Sequence, residues 1–103
     1  MSRLEAVKGL VAQDPENSRV RFMLCMEYLS AADWRAAVAE LEQLLGRDPA
    51  YIAAYYQAGR ASEQLGDEDE AKSFYRRGIA AARTAGDRHS ESELQAALDI
   101  LGG

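Results

Sequence analysis

The chain has 103 residues, a length that fits one domain with a modest hydrophobic core. Apolar residues make up 48% and charged residues 28%, which excludes a disordered chain, and the net charge of −5 argues against a protein that grips nucleic acid. A single cysteine excludes an intramolecular disulfide. Because the first residues lack a secretory signal pattern and no apolar run could span a bilayer, we expect a soluble, cytoplasmic protein without membrane contact.

Two Asp-Pro pairs indicate an internal repeat. Pro15 and Pro49 are 34 residues apart, and apolar positions on either side keep the same register, so that Leu41 matches Tyr75. Alternation of the strand type is absent, and apolar residues recur at helical spacing. The pattern predicts a single all-α domain, residues 1–103, made of two full units that follow half a unit.

The elements are predicted in chain order from these periods. A half-repeat helix occupies 2–15, and the first unit occupies 18–51, with Asn17 or Ser18 as the N-cap of its first helix and a stop at Gly46 in its second. The second unit occupies 52–85. We expect its second helix to be about a turn longer, because no proline stands where Pro49 stands in the first unit.

The last predicted element is a capping helix over 90–101. Ser90 and Glu93 have the spacing of a capping box, and the helix carries one apolar stripe that includes Leu94 and Leu98. A single stripe is typical of a terminal helix that covers the end of a stack of repeats.

A set of residues in each unit matches the pattern of a known repeat family. In the first unit they are Leu24, Tyr28, Ala37, Leu41 and Pro49, and in the second they are Tyr55, Ala58, Gly59, Gly66, Ala71 and Tyr75. In these residues the chain resembles the tetratricopeptide repeat family. The resemblance implies a right-handed array of antiparallel helix pairs with about six helices, in which the first helix of each unit lines a concave groove.

The resemblance also implies which side chains face the groove. Phe22, Met26 and Leu29 form an apolar stripe in the first unit, and the matching positions one repeat later are more polar. The alternative is that this stripe packs against the half-repeat or the capping helix. The complete set of predicted groove residues is Arg19, Phe22, Met26, Leu29, Tyr56, Gln57, Arg60 and Glu63.

The family usually binds peptides or protein segments in this groove, and it is not catalytic. We therefore predict a protein–protein interaction module without cofactor or metal, whose partner offers an apolar anchor and an acidic or carbonyl group for Arg60. The lysine and asparagine with which one family subtype clamps a terminal carboxylate are replaced here, so that clamp is not expected.

Two other functions stay open at this stage. Self-association through the apolar stripe or the outer face of the first helix would make the chain a structural subunit of a larger assembly. An enzyme would need a reactive group, and the candidates are the lone Cys25 and His89. We expect instead that Cys25 is a buried structural thiol and that His89 lies in a solvated turn.

Overall fold

The computed structural model describes all residues, 1–103, and contains six α-helices and no strand. Helices that are consecutive in the chain pack against one another in antiparallel pairs, which confirms the all-α, tetratricopeptide-like prediction. Their bounds are α1 (Arg3–Gln13), α2 (Ser18–Ser30), α3 (Trp34–Arg47), α4 (Ile52–Gln64), α5 (Glu68–Ala85) and α6 (Arg88–Ile100).

Polar side chains cap the N-termini of five helices. Each one accepts a hydrogen bond from the backbone N–H three residues further on, so that one of the unpaired donors of the first turn is satisfied. Helix α4 begins at Ile52, and its N-cap residue, Tyr51, makes no side-chain cap. The capping residues are Ser2, Asn17, Asp33, Asp67 and Asp87.

The start of α6 differs from the prediction. Helix α6 begins at Arg88 rather than at Ser90, because Asp87 is its N-cap: the Asp87 carboxylate accepts from the backbone N–H of Ser90 at 3.0 Å and from the Ser90 hydroxyl at 2.7 Å. Ser90 is therefore a donor to the cap, and an oxygen of Glu93 lies 3.3 Å from Nε2 of His89. The predicted capping box was wrong.

The two second helices end in different ways. Helix α3 passes through Gly46 and ends at Arg47, so the predicted stop at Gly46 is one residue early. Helix α5 has 18 residues against 14 in α3, as the missing proline predicted. It stops at Gly86, whose φ of 69° lies in the left-handed region that glycine adopts without strain.

The core is one continuous cluster that runs from α2 to α6. Tyr75 and Phe74 of α5 are fully buried at its centre. Two glycines let the neighbouring helices approach: a Cβ on Gly59 would overlap the Tyr75 ring, and a Cβ on Gly78 would lie 2.6 Å from the Cβ of Tyr55. The hydroxyl of Ser62 is buried there without a hydrogen-bond partner.

None of the six helices combines the length and the apolar character that crossing a membrane would require.

Candidate functional site

A cleft of about 410 Å³ separates α4 from α6. Three of the predicted groove residues line it from α4: Tyr56, Arg60 and Glu63. The opposite wall belongs to α6, and its residues follow helical spacing, so they form one face of that helix. They are Glu93, Ala96, Ala97 and Ile100.

Arg60 is the exposed cation of this cleft. Its Nη1 donates to the Tyr56 hydroxyl at 3.3 Å, and its guanidinium lies 5.9 Å from the centre of the Tyr56 ring. The hydrogen bond to Tyr56 raises the pKa of Arg60, so the side chain is charged at any physiological pH. Arg60 takes part in none of the ion pairs of the structure.

Each of the two carboxylates that line the cleft lies within 4 Å of a group other than Arg60. Glu63 accepts a hydrogen bond from the hydroxyl of Tyr75, and Glu93 lies 3.3 Å from Nε2 of His89. Burial, together with the bond to Glu63, raises the pKa of Tyr75, so this hydroxyl remains a donor. The cleft thus presents a cation without a carboxylate partner beside the largely apolar wall of α6.

The predicted residues of α2 do not line this cleft. Phe22 is half-buried, with its ring centre 5.1 Å from that of Tyr51 at the start of α4, and Leu29 is half-buried against the core. Met26 remains 37% exposed. The α2 stripe and the polar residues of α4 therefore do not line one cleft, and Phe22 stacks on Tyr51 rather than on a residue of α1 or α6.

The two remaining predicted residues lie at the margins. Arg19 is exposed in the first turn of α2 and forms no ion pair, and Gln57 is half-buried on α4 outside the cleft lining.

The predicted groove set omits Met23 on α2 and all four α6 residues that line the cleft. Met23 is 38% exposed, three residues before Met26, so α2 presents two neighbouring methionines to solvent. On α6, Ala96 lines the cleft, and Ile100 does so with 84% of its surface exposed. The α6 residues could have been found from the spacing of that helix, since the four positions from Glu93 to Ile100 fall beside the buried Leu94 and Leu98.

Cys25 is fully buried in the core. Burial raises the pKa of its thiol to about 12, so almost no nucleophilic thiolate forms near neutral pH. His89 is exposed in the first turn of α6, where it pairs with Glu93. Cys25 is thus a structural thiol, as predicted, whereas His89 lies in a helix and not in the turn before it.

Stacked antiparallel helix pairs with an accessible first-helix face define this chain as a helical-repeat protein. The tetratricopeptide repeat model matches residues 28–98. A TPR repeat-containing protein of Pseudomonas aeruginosa is 32% identical over 98 residues, which cover 95% of this chain and 93% of that protein. The chain therefore belongs to the tetratricopeptide repeat family.

Two solved structures share the fold at similar identity. A protein from Bordetella parapertussis, solved in solution, is 30% identical with a TM-score of 0.84, and the match covers 99% of this chain and 89% of that one. A tetratricopeptide repeat domain protein from Salinibacter ruber is 36% identical with a TM-score of 0.80, over 85% and 89% of the two chains. The fold is that of a protein–protein interaction module, and proteins of this family are generally non-catalytic.

Proposed function

We propose that this chain binds a protein segment in the cleft between α4 and α6, and that Arg60 recognises a carboxylate of that segment. The observation that carries the proposal is the exposed Arg60 guanidinium, which has no carboxylate partner although Glu63 and Glu93 line the same cleft. A guanidinium held over an aromatic ring is pre-organised for a planar carboxylate, so binding costs little side-chain entropy.

The apolar wall supports the same partner chemistry. Ala96, Ala97 and the exposed Ile100 offer contact area for an aliphatic or aromatic side chain next to the carboxylate. Met23 and Met26 on α2 are also exposed, with side chains that adapt to different contours, but they do not line the cleft. The partner segment is expected to be acidic and apolar, and a nucleic acid or a membrane is not expected.

The first test replaces Arg60 with glutamate and compares the proteins captured from a lysate by the wild type and the variant, identified by mass spectrometry. Arg35→Glu is the matched control, because Arg35 is also exposed and unpaired but lies on α3. We expect Arg60→Glu to weaken capture of the specific partner at least tenfold, since a charge-assisted contact becomes a repulsion. Equal capture by both variants would exclude Arg60 as a contact.

The second test identifies the group that Arg60 meets. Overlapping peptides of the captured partner are assayed for binding, and each acid in the binding peptide is replaced by its amide. One such replacement should weaken binding to the wild type but change binding to Arg60→Lys less, because lysine lacks the planar pair of donors. A binding peptide without any acid contradicts the proposed recognition.

A further inference from the structure

A second, larger depression lies near the C-terminal end of α5, far from the α4–α5 turn. It is a notch of about 640 Å³ between the last turns of α3 and α5 and the start of α4, and it is lined mostly by apolar side chains. Ala50, Ala80 and Ala81 form much of its surface, and Arg77 is the only charged residue that lines it. We call this depression the notch.

The preceding junction between repeats is built in the same way, but an ion pair crosses it. There Arg21 donates to the carbonyl oxygen of Pro15, as the Tyr55 hydroxyl donates to that of Pro49 one repeat later. The Glu16–Arg47 ion pair spans the first junction. The residues 34 positions further on are Ala50 and Ala81, so the second junction lacks this ion pair and its two long side chains.

Arg77 makes the notch attractive to an acid. Its Nη1 lies 3.1 Å from a carboxylate oxygen of Glu42, and its guanidinium is 5.6 Å from the centre of the Tyr55 ring. One hydrogen bond leaves other N–H donors of the guanidinium available. Arg83 and Arg88 add positive charge at the same end of α5, although Arg83 pairs with Glu91.

The opposite end of α5 has the complementary character. Asp67, Glu68 and Asp69 are all exposed there, at the start of the helix. The end of α6 lies against them, since Leu101 and Glu68 line one small cavity. Ile100, 84% exposed, and Leu65, 36% exposed, provide apolar side chains among these acids. We call this surface the acidic end. It consists of Leu65, Asp67–Asp69, Asp99 and Ile100.

We propose that the chain associates head to tail, with the acidic end of one copy seated in the notch of the next. Ile100 fills part of the apolar notch, and the carboxylates beside it face Arg77. The two surfaces lie at opposite ends of a helix about 27 Å long, so one molecule cannot join them within itself. A contact between unlike surfaces leaves a free notch and a free acidic end on every assembly that does not close into a ring, so longer chains form as concentration rises.

The structure supplies a variant that closes the notch. Ala50→Glu with Ala81→Arg copies the Glu16–Arg47 pair of the first junction into the second. Ile100→Ser removes the apolar side chain from the acidic end at a position that is almost fully exposed. The matched control is Ala12→Glu with Ala39→Arg, which adds the same two charges at exposed positions of α1 and α3. Circular dichroism verifies that each variant folds.

Sedimentation equilibrium measures association of the purified chains. We expect the wild type and the control to associate reversibly, and the notch-closing and Ile100→Ser variants each to raise the dissociation constant about tenfold or more. Salt should weaken the wild-type association between about 50 mM and about 500 mM, because opposite charges meet across the contact. A wild type that stays monomeric up to about 1 mM at low salt would overturn the proposal.

Mixing the two variants tests the head-to-tail geometry itself. The notch-closed chain keeps its acidic end, and the Ile100→Ser chain keeps its notch, so together they have one intact contact. We expect the mixture to form a one-to-one dimer at concentrations where each variant alone is monomeric. If the mixture remains monomeric while the wild type associates, the acidic end does not bind in the notch. Association of the notch-closing variant that is as strong as that of the wild type would also contradict the proposal.

Discussion

The absence of a side chain at Gly59 allows α4 and α5 to pack closely. A Cβ there would overlap the Tyr75 ring, which is fully buried. Gly59→Ala gains helix propensity of about 1 kcal/mol, but the overlap costs more. We therefore expect a net loss of about 1–3 kcal/mol in the free energy of unfolding, measured by urea denaturation.

Gly46→Ala is the control for this prediction. Gly46 is also helical, yet nothing lies within 4 Å of a Cβ built on it. Here only the helix propensity of the residue changes, and we expect the variant to be more stable by up to about 1 kcal/mol. Opposite signs for two Gly→Ala changes would show that packing against Tyr75 determines the outcome, whereas a gain in both would show that the Tyr75 ring moves aside.

At the scale of the element, the N-cap of α6 makes its stability depend on pH. The hydrogen bonds that Asp87 accepts from the Ser90 backbone N–H and hydroxyl lower the pKa of its carboxyl. The stabilisation is therefore complete above the ordinary aspartate pKa of about 3.9 and is lost as the pH falls through the lowered native value.

The Asp87→Ala variant tests this dependence. We expect the difference in unfolding free energy between the wild type and Asp87→Ala to shrink as the pH falls below about 4, because the protonated cap loses its advantage. Asp87→Asn is the control: it caps the helix without titrating, so its difference from Asp87→Ala should stay constant. If the difference in unfolding free energy between the wild type and Asp87→Ala does not change with pH, the Asp87 carboxylate does not cause the pH dependence.

The period of the sequence predicted the six helices because buried positions at helical spacing leave few alternatives. The start of α6 could not be predicted in this way. Asp87 and Ser90 are both good N-caps three residues apart, and the choice between them depends on how the chain leaves α5 at Gly86. Either residue satisfies the local preference for an N-cap, so the path of the chain between α5 and α6 determines which one begins the helix.

The site was predictable only in part, for a similar reason. Helical spacing places Phe22 and Tyr56 at matching positions, but exposure depends on helices distant in sequence. Phe22 stacks on Tyr51, and Glu63 accepts from Tyr75, so both are less available than their positions suggest. Arg60 is exposed, and no carboxylate lies within ion-pair distance of its guanidinium.

In the whole molecule, two surfaces of the array are proposed to bind different partners. The α4–α6 cleft offers Arg60 to a partner segment, and the notch with the acidic end joins copies of the chain. Since Ile100 borders the cleft and also belongs to the acidic end, association of copies would change one margin of the cleft. Arg60 lies outside the notch but lines the cleft together with Ile100, so Arg60 variants are compared at concentrations where the chain is monomeric.

Binding of the partner segment in the α4–α6 cleft is tested by a titration of the ¹⁵N-labelled chain with the partner peptide, followed by nuclear magnetic resonance at a concentration where the chain is monomeric. We predict that the amide shifts concentrate between Tyr56 and Glu63 on α4 and between Glu93 and Ile100 on α6. Shifts confined to α1 and α3, with the cleft amides unmoved, would contradict the claim.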